Sequence, residues 1–171
     1  MHIIITDQSA LRIKSEKANK EEAEEIIIEL EKTLALAPGV GLAAPQIGIN
    51  KSVAIIRIKT GGYEQNVNLV NPEILDKEQG FINKQEGCLS IPDKRFNTWR
   101  SKEIFVKDDT NPAGFIATGF EAIAIQHEID HLNGVLISDI AIKDKIGRND
   151  PCPCGKIKNG IRVKFKKCHG R

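Results

Sequence analysis

Hydrophobic positions recur every three or four residues in two stretches of the chain. Elsewhere they alternate or form short runs. Between 19 and 37, Ala23, Ile26, Ile27, Leu30 and Leu34 fall on one helical face. Asn19 can cap that helix, Glu22 stands at the capping-box position, and Pro38-Gly39 ends it. A second helix is predicted from Thr118, where Thr118 and Glu121 read as a capping box and Asn133-Gly134 as the stop. Phe120, Ile123, Ala124, His127 and His131 follow helical spacing there, so this face is predicted to be buried. Short runs rich in β-branched residues predict strands over 3–5, 52–58, 67–70, 102–107 and 115–118. Gly80-Phe81-Ile82 leads into the tight segment Glu86-Gly87-Cys88-Leu89-Ser90. Two helices among strands joined by short turns predict an α+β domain, not βαβ repeats.

Composition narrows this picture. A chain of 171 residues fits one ordinary domain with at most a small appendage. No apolar run reaches membrane length. The first residues carry only three consecutive isoleucines and no basic leader, so no signal peptide is expected and the cytoplasm is the predicted compartment. The net charge of +2 conceals an asymmetry. From Lys143 onward there are ten Lys/Arg and two Asp/Glu, giving +8; the preceding part has fifteen and twenty-one, giving −6. A basic tail on a mildly acidic body points to an anionic partner. Three of the four cysteines lie in that tail and Cys88 stands alone in the body, a pattern that points to metal or catalysis rather than disulfides.

The chemistry centres on Gln126-His127-Glu128-Ile129-Asp130-His131. Histidines four apart on a helix share a face and can grip one metal ion, and the glutamate beside the first can take a proton from water there. A third ligand is needed. Glu128 is the last glutamate of the chain, and the HExxHxxGxxH pattern breaks at Ile137. Asp139 and Asp144 remain alternatives; Cys88 is the better candidate, because a His₂Cys set leaves a position open for water. Segment 39–48, Gly-Val-Gly-Leu-Ala-Ala-Pro-Gln-Ile-Gly, leaves little side-chain bulk and lets another backbone approach. It lacks the GK[ST] of a phosphate loop, and Gln46 is its one strong hydrogen-bonding side chain.

Taken in order, GVGLAAPQ, EGCLS and QHEIDH closely resemble the motifs of the peptide deformylases, over roughly residues 1–142. That family removes the formyl group from the initiating methionine of new polypeptides. The resemblance implies a small, mostly antiparallel sheet domain packed around a central metal-binding helix. It implies Cys88, His127 and His131 as ligands of Fe²⁺, with Zn²⁺ or Ni²⁺ able to substitute. Metal-activated water would attack the formyl carbon, Glu128 would act as general acid/base, and Gln46 and the Leu89 backbone N–H would face the oxyanion. Gly41 would leave room for the substrate backbone, and Phe120, Ile123 and Ala124 would wall a pocket for the methionine side chain. Arg95 and Arg100 follow the cysteine loop; one of them is expected to pair with Glu86 or to contact the peptide, the alternative being plain surface charge. The opening Asp7-Gln8-Ser9-Ala10-Leu11-Arg12 departs from the family, which usually has a Pro there.

The tail carries Cys152, Cys154, Cys168 and His169, four soft ligands around a Gly- and Lys-rich hairpin-like loop. It resembles the SEC-C motif at the end of the bacterial preprotein-translocation ATPase, with a longer loop between Cys154 and Cys168. The resemblance implies Zn²⁺ and docking to a ribosome or a protein. The expected organisation is a catalytic domain over 1–143, a linker over 144–149 and a zinc knuckle over 150–171, in a monomer that acts on N-formyl-methionyl nascent peptides. A zinc peptidase and an inactive ribosome adaptor are the competing readings; the broken downstream pattern weakens the first, and intact Gln46, Cys88 and Glu128 weaken the second.

Overall fold

The computed structural model describes residues 2–60, 62–78, 80–142, 146–154, 156–158 and 161–169, with the backbone alone at 59, 60, 63 and 157. The first helix, α1, spans Lys20–Leu34. Its capping box forms: Asn19 Oδ1 accepts from the Glu22 N–H and Glu22 accepts from the Asn19 N–H, both at 2.9 Å. The helix ends three residues earlier than its pattern predicted, because the chain turns at Ala35 to Ala37 before Pro38-Gly39. Leu30 and Leu34 are fully buried, packed with Leu42, Val53 and Ile55 in one core layer.

The chain then forms β1 (Gly41–Ala43), a 3₁₀ turn (Ala44–Ile47), β2 (Val53–Thr60) and β3 (Tyr63–Val70), an antiparallel sheet in the order β1-β2-β3. The glycine-rich segment is thus not a plain turn; it supplies an edge strand. β4 (Glu73–Lys77), β7 (Glu103–Lys107) and β8 (Phe115–Thr118) form a second antiparallel sheet, and β5 (Gly80–Cys88) and β6 (Ile91–Ser101) form a ribbon. The second helix, α2, spans Gly119–Leu132 and packs Ala122, Ile125 and Ile129 on Ala54, Ile56 and Val106. The architecture is α+β, as the pattern predicts, with antiparallel sheets, as the resemblance implies.

Three expectations are corrected. Residues 3–5 are not a strand: Ile3 is 87% exposed and, among the described residues, the Ile5 N–H alone of their backbone donors is tied down, to the Gln46 carbonyl. A run of isoleucines has strand propensity, but without a partner edge it stays irregular. Thr118 caps α2 without a side-chain hydrogen bond. The predicted burial of the α2 face fails at Phe120, which is 62% exposed at the first turn, beyond the reach of the core. Among the described residues no helix is long and apolar enough to cross a membrane.

In the tail, β9 (Ile157–Lys158) pairs antiparallel with β10 (Ile161–Arg162), ahead of a 3₁₀ turn at Phe165–Lys167. The expected hairpin is present. Of the expected linker, residues 144 and 145, Asp144 included, lie outside the described residues; Gly147 to Asp150 forms a turn, with the Gly147 N–H donating to Asp150 Oδ2 at 2.8 Å.

Candidate active site

β5 runs directly into Cys88, and the short connection to β6 carries Leu89 and Ser90. α2 runs alongside and brings His127, Glu128 and His131 to the same place. Cys88 Sγ lies 3.2 Å from His131 Nε2, and the donor atoms of Cys88, His127 and His131 all lie within 4.8 Å of one another. Asp139 is not among them: it forms a two-point pair with Arg12 at 2.6 and 2.8 Å. Ile137, where the longer metal pattern broke, is a core residue beside Cys88 and Leu136.

Glu86 organises the group. Its carboxylate accepts from Asn83 at 2.8 Å, Thr98 at 2.6 Å and Arg100 at 2.6 and 3.0 Å, and lies 2.7 Å from His127 Nδ1. Arg100 also donates to Asp130 on α2 at 2.6 Å. Of the two arginines considered, Arg100 is therefore the partner of Glu86; Arg95 lies across Gly87 and lines the cleft instead. Burial opposes the charge on Glu86, but donation from His127 and Arg100 holds its carboxyl far below the ordinary range. Both acid and base are almost fully buried, so removing either would leave an unpaired interior charge, a loss of about 3–5 kcal/mol. With Nδ1 engaged by Glu86, His127 has Nε2 left to ligate, which is how an outer carboxylate commonly fixes a metal-binding imidazole. Burial, and then the neighbouring His127, push His131 down; His127 is pushed up, against its burial, by Cys88 and Glu86.

Glu128 is 4% exposed and its Oε2 has no hydrogen-bond partner among the described residues. Burial pushes its carboxyl up to about 7. Room for it comes from Gly41: a Cβ built there would overlap Glu128 Oε1 and lie 2.9 Å from Cδ. The resemblance leaves room at Gly41 for a substrate backbone; the structure adds a tighter demand, made by the chain's own Glu128 carboxylate. Gln46 accepts from the Ala43 N–H at 2.9 Å, and its Nε2 donates to Ser90 Oγ at 3.1 Å, with Cys88 Sγ at 3.8 Å. Ser90 was missed, since a serine in a turn carries no signal without its partner. Gln126, which had no role on the sequence, donates to the Ser101 carbonyl and accepts from the Ser101 N–H, pinning α2 to the end of β6.

These groups sit in a cleft of ≈ 780 Å³. Gly41, Gln46, Cys88, Leu89, His127 and Glu128 line it, as do Phe120, Ile123 and Ala124. His131 is 1% exposed and is not among the lining residues. In the tail, Cys152 Sγ lies 3.1 Å from His169 Nδ1 and Cys154 Sγ 3.6 Å from Cys168 Sγ, with all four donors within 4.8 Å. Burial pushes the Cys152 thiol up to about 12, whereas Cys154, despite burial, is held below the ordinary value by the Lys156 backbone N–H and the neighbouring thiols.

An α+β domain of antiparallel sheets, with a His/Cys group beside a cleft whose donor atoms could hold a metal, defines the class as a candidate metalloprotein. The family model for polypeptide deformylase matches residues 1–146. The chain is 46% identical over 117 residues to a peptide deformylase of Heliobacterium modesticaldum, covering 67% of this chain and 74% of that protein. It is 38% identical over 144 residues to one of Symbiobacterium thermophilum, covering 81% of this chain but 65%, just under two thirds, of that relative's length. A probable peptide deformylase from Synechococcus phage S-SSM7 superposes with a TM-score of 0.74 at 36% identity, over 82% of this chain and 99% of that one. The chain belongs to the polypeptide deformylase family, hydrolases of N-terminal processing in protein biosynthesis.

The overlap at Gly41 yields a prediction. Gly41→Ala should displace the Glu128 carboxylate and lower kcat by roughly a hundredfold, the scale of losing a positioned general base, while metal content stays unchanged. Steady-state kinetics with metal analysis on the same sample checks it.

Proposed function

We propose that this cleft removes the N-formyl group from the initiator methionine of nascent polypeptides, through one divalent metal held by Cys88, His127 and His131. The observation that supports it most is the meeting of one thiol and two imidazoles within 4.8 Å, beside a buried carboxylate that has an unpartnered oxygen. The donor set suits a soft or borderline transition metal with an open position, and α2 then serves as the metal-binding helix at the centre of the domain. Fe²⁺ is the ion we assign, with Zn²⁺ or Ni²⁺ able to replace it. When bound, the metal supplies Lewis-acid activation of water near neutral pH.

The remaining work falls to side chains and backbone. Glu128 takes the proton of the attacking water and returns it to the leaving amine. The Gln46 amide and the Leu89 N–H donate to the formyl oxygen as negative charge develops on it. β1 ends its sheet, so its free edge can accept the substrate as an added strand, with Gly41 within it. Ile123 and Ala124, with Phe120 at the rim, wall the pocket for the methionine side chain.

The catalytic domain spans 1–143, and 144–149 links it to a SEC-C-like module over 150–171. That module holds Zn²⁺ through Cys152, Cys154, Cys168 and His169, and its basic surface docks the enzyme to the ribosome, where its substrate emerges. The enzyme acts as a cytoplasmic monomer.

Release of formate from formyl-Met-Ala-Ser by the metal-loaded chain tests the activity, and no release would overturn it. Glu128→Gln should retain metal and lose roughly 10²–10⁴ in turnover, the usual share of general acid–base catalysis. In air the Fe²⁺ enzyme should lose activity while the Ni²⁺ enzyme keeps it, because a thiolate-ligated ferrous centre invites oxidation; equal decay would count against the metal assignment. Deleting 148–171 should lower cosedimentation with ribosomes and leave turnover of the short peptide intact.

A further inference from the structure

We infer that the C-terminal segment, when it holds its metal, is docked on the back of the β5–β6 ribbon by His169 against Trp99, and is a fixed part of the domain instead of a free tether; this rests on the proposal that the four tail residues bind a metal. Trp99 is the chain's single tryptophan. Its neighbours along β6, Thr98 and Arg100, are 0% and 3% exposed and both donate to Glu86. Side chains alternate along a strand, so Trp99 points to the opposite face, away from the metal ligands of the cleft. There the indole lies across Gly80, where a Cβ would come within 2.7 Å of its Cε2.

The indole also meets the imidazole of His169, with ring centroids 4.6 Å apart and planes tilted by 59°. This is a favoured aromatic geometry rather than a grazing contact. The same imidazole is held from its other side, by Cys152 Sγ at 3.1 Å from Nδ1. One ring thus joins the four-donor cluster to β6. The chain also leaves the body along this strand: Ala141 bridges to Thr98, and the Ile142 N–H donates to the Asn97 carbonyl at 2.7 Å. β6 therefore anchors the segment where it departs and where it ends.

The metal is what makes this docking conditional. Among the described residues, the segment's regular structure is two strands of two residues and one 3₁₀ turn, and none of the residues of β10 or the turn is buried. So small an apolar content cannot hold the loop closed, and bringing Cys152, Cys154, Cys168 and His169 to one point requires a shared ion. Once closed, the exposed Lys156, Lys158, Arg162, Lys164 and Lys167 keep one place relative to the cleft. An anionic surface that binds them would then orient the cleft as well as retain the enzyme.

Acrylamide quenching of Trp99 tests this on the full-length chain, carrying Ni²⁺ in the catalytic site so that zinc counts the tail alone. The comparison is with Cys152→Ser/Cys154→Ser, which removes two donors, and with His169→Cys, which keeps four donors but removes the ring. We expect one equivalent of zinc in the wild type and in His169→Cys, none in the double variant, and a quenching constant that rises roughly twofold in both variants as the indole loses one of its covering groups. Zinc retained in the wild type with equal quenching in all three proteins, or a still-shielded Trp99 in zinc-loaded His169→Cys, would overturn the docking and leave the tail metal standing. Equal zinc in the wild type and the double variant would overturn the metal reading and the conditional docking with it. Should His169→Cys fail to hold zinc, the double variant decides alone.

Discussion

The carboxylate of Glu86 joins three elements through one group: the two paired strands β5 and β6 and the helix α2 beside them. It stands near the end of β5 and takes hydrogen bonds from Thr98 and Arg100 of β6 and from His127 of α2. Arg100 continues the lattice to Asp130, one residue before His131. Taking a carboxylate and a guanidinium out of water costs several kcal/mol each, and the pair survives there only because nearly every donor and acceptor is matched. The matching has a geometric result: two residues beyond Glu86 the chain delivers Cys88 to the imidazoles of the helix. The charge lattice and the candidate metal centre are therefore adjoining layers of one arrangement.

A second constraint is space. Glu128 lies beside His127, out of water, and its carboxylate occupies the space that a side chain at Gly41 would fill. That glycine belongs to an edge strand, so one residue serves both the packing of the Glu128 carboxylate and the end strand that lines the cleft. Gln46 follows within the next turn. Its carboxamide is fixed at both ends, by the Ala43 N–H and by Ser90, which limits the side chain to one orientation before any substrate arrives.

Much of this was legible in the chain. α1 and its capping box, the extent of α2, the β7–β8 pair and the convergence of Cys88 with His127 and His131 all followed from local pattern and motif. β1, β4, β5 and β6 were not legible as strands. β6 reads Ile-Pro-Asp-Lys-Arg-Phe-Asn-Thr-Trp-Arg-Ser, with four consecutive exposed residues after Ile91, and a polar ribbon of this kind carries no alternation that a pattern can detect. It becomes a strand because β5 offers a partner edge, and because Thr98 and Arg100 have an anion to face. The isoleucines of 3–5 show the converse, strong strand propensity with no edge to join.

Sequence by itself determined the chemical inventory: which residues could hold a metal, which carboxylate could move a proton, and where each helix begins. These depend on residue type and on spacings of three or four, which a helix converts directly into proximity. Only the tertiary structure decided which arginine meets Glu86, why position 41 must be glycine, what Gln126 and Ser90 do, and that His169 reaches Trp99. Each of those depends on a contact between residues far apart in the chain, fixed by strand register and by the shape of the space left between elements. No local periodicity encodes such distances.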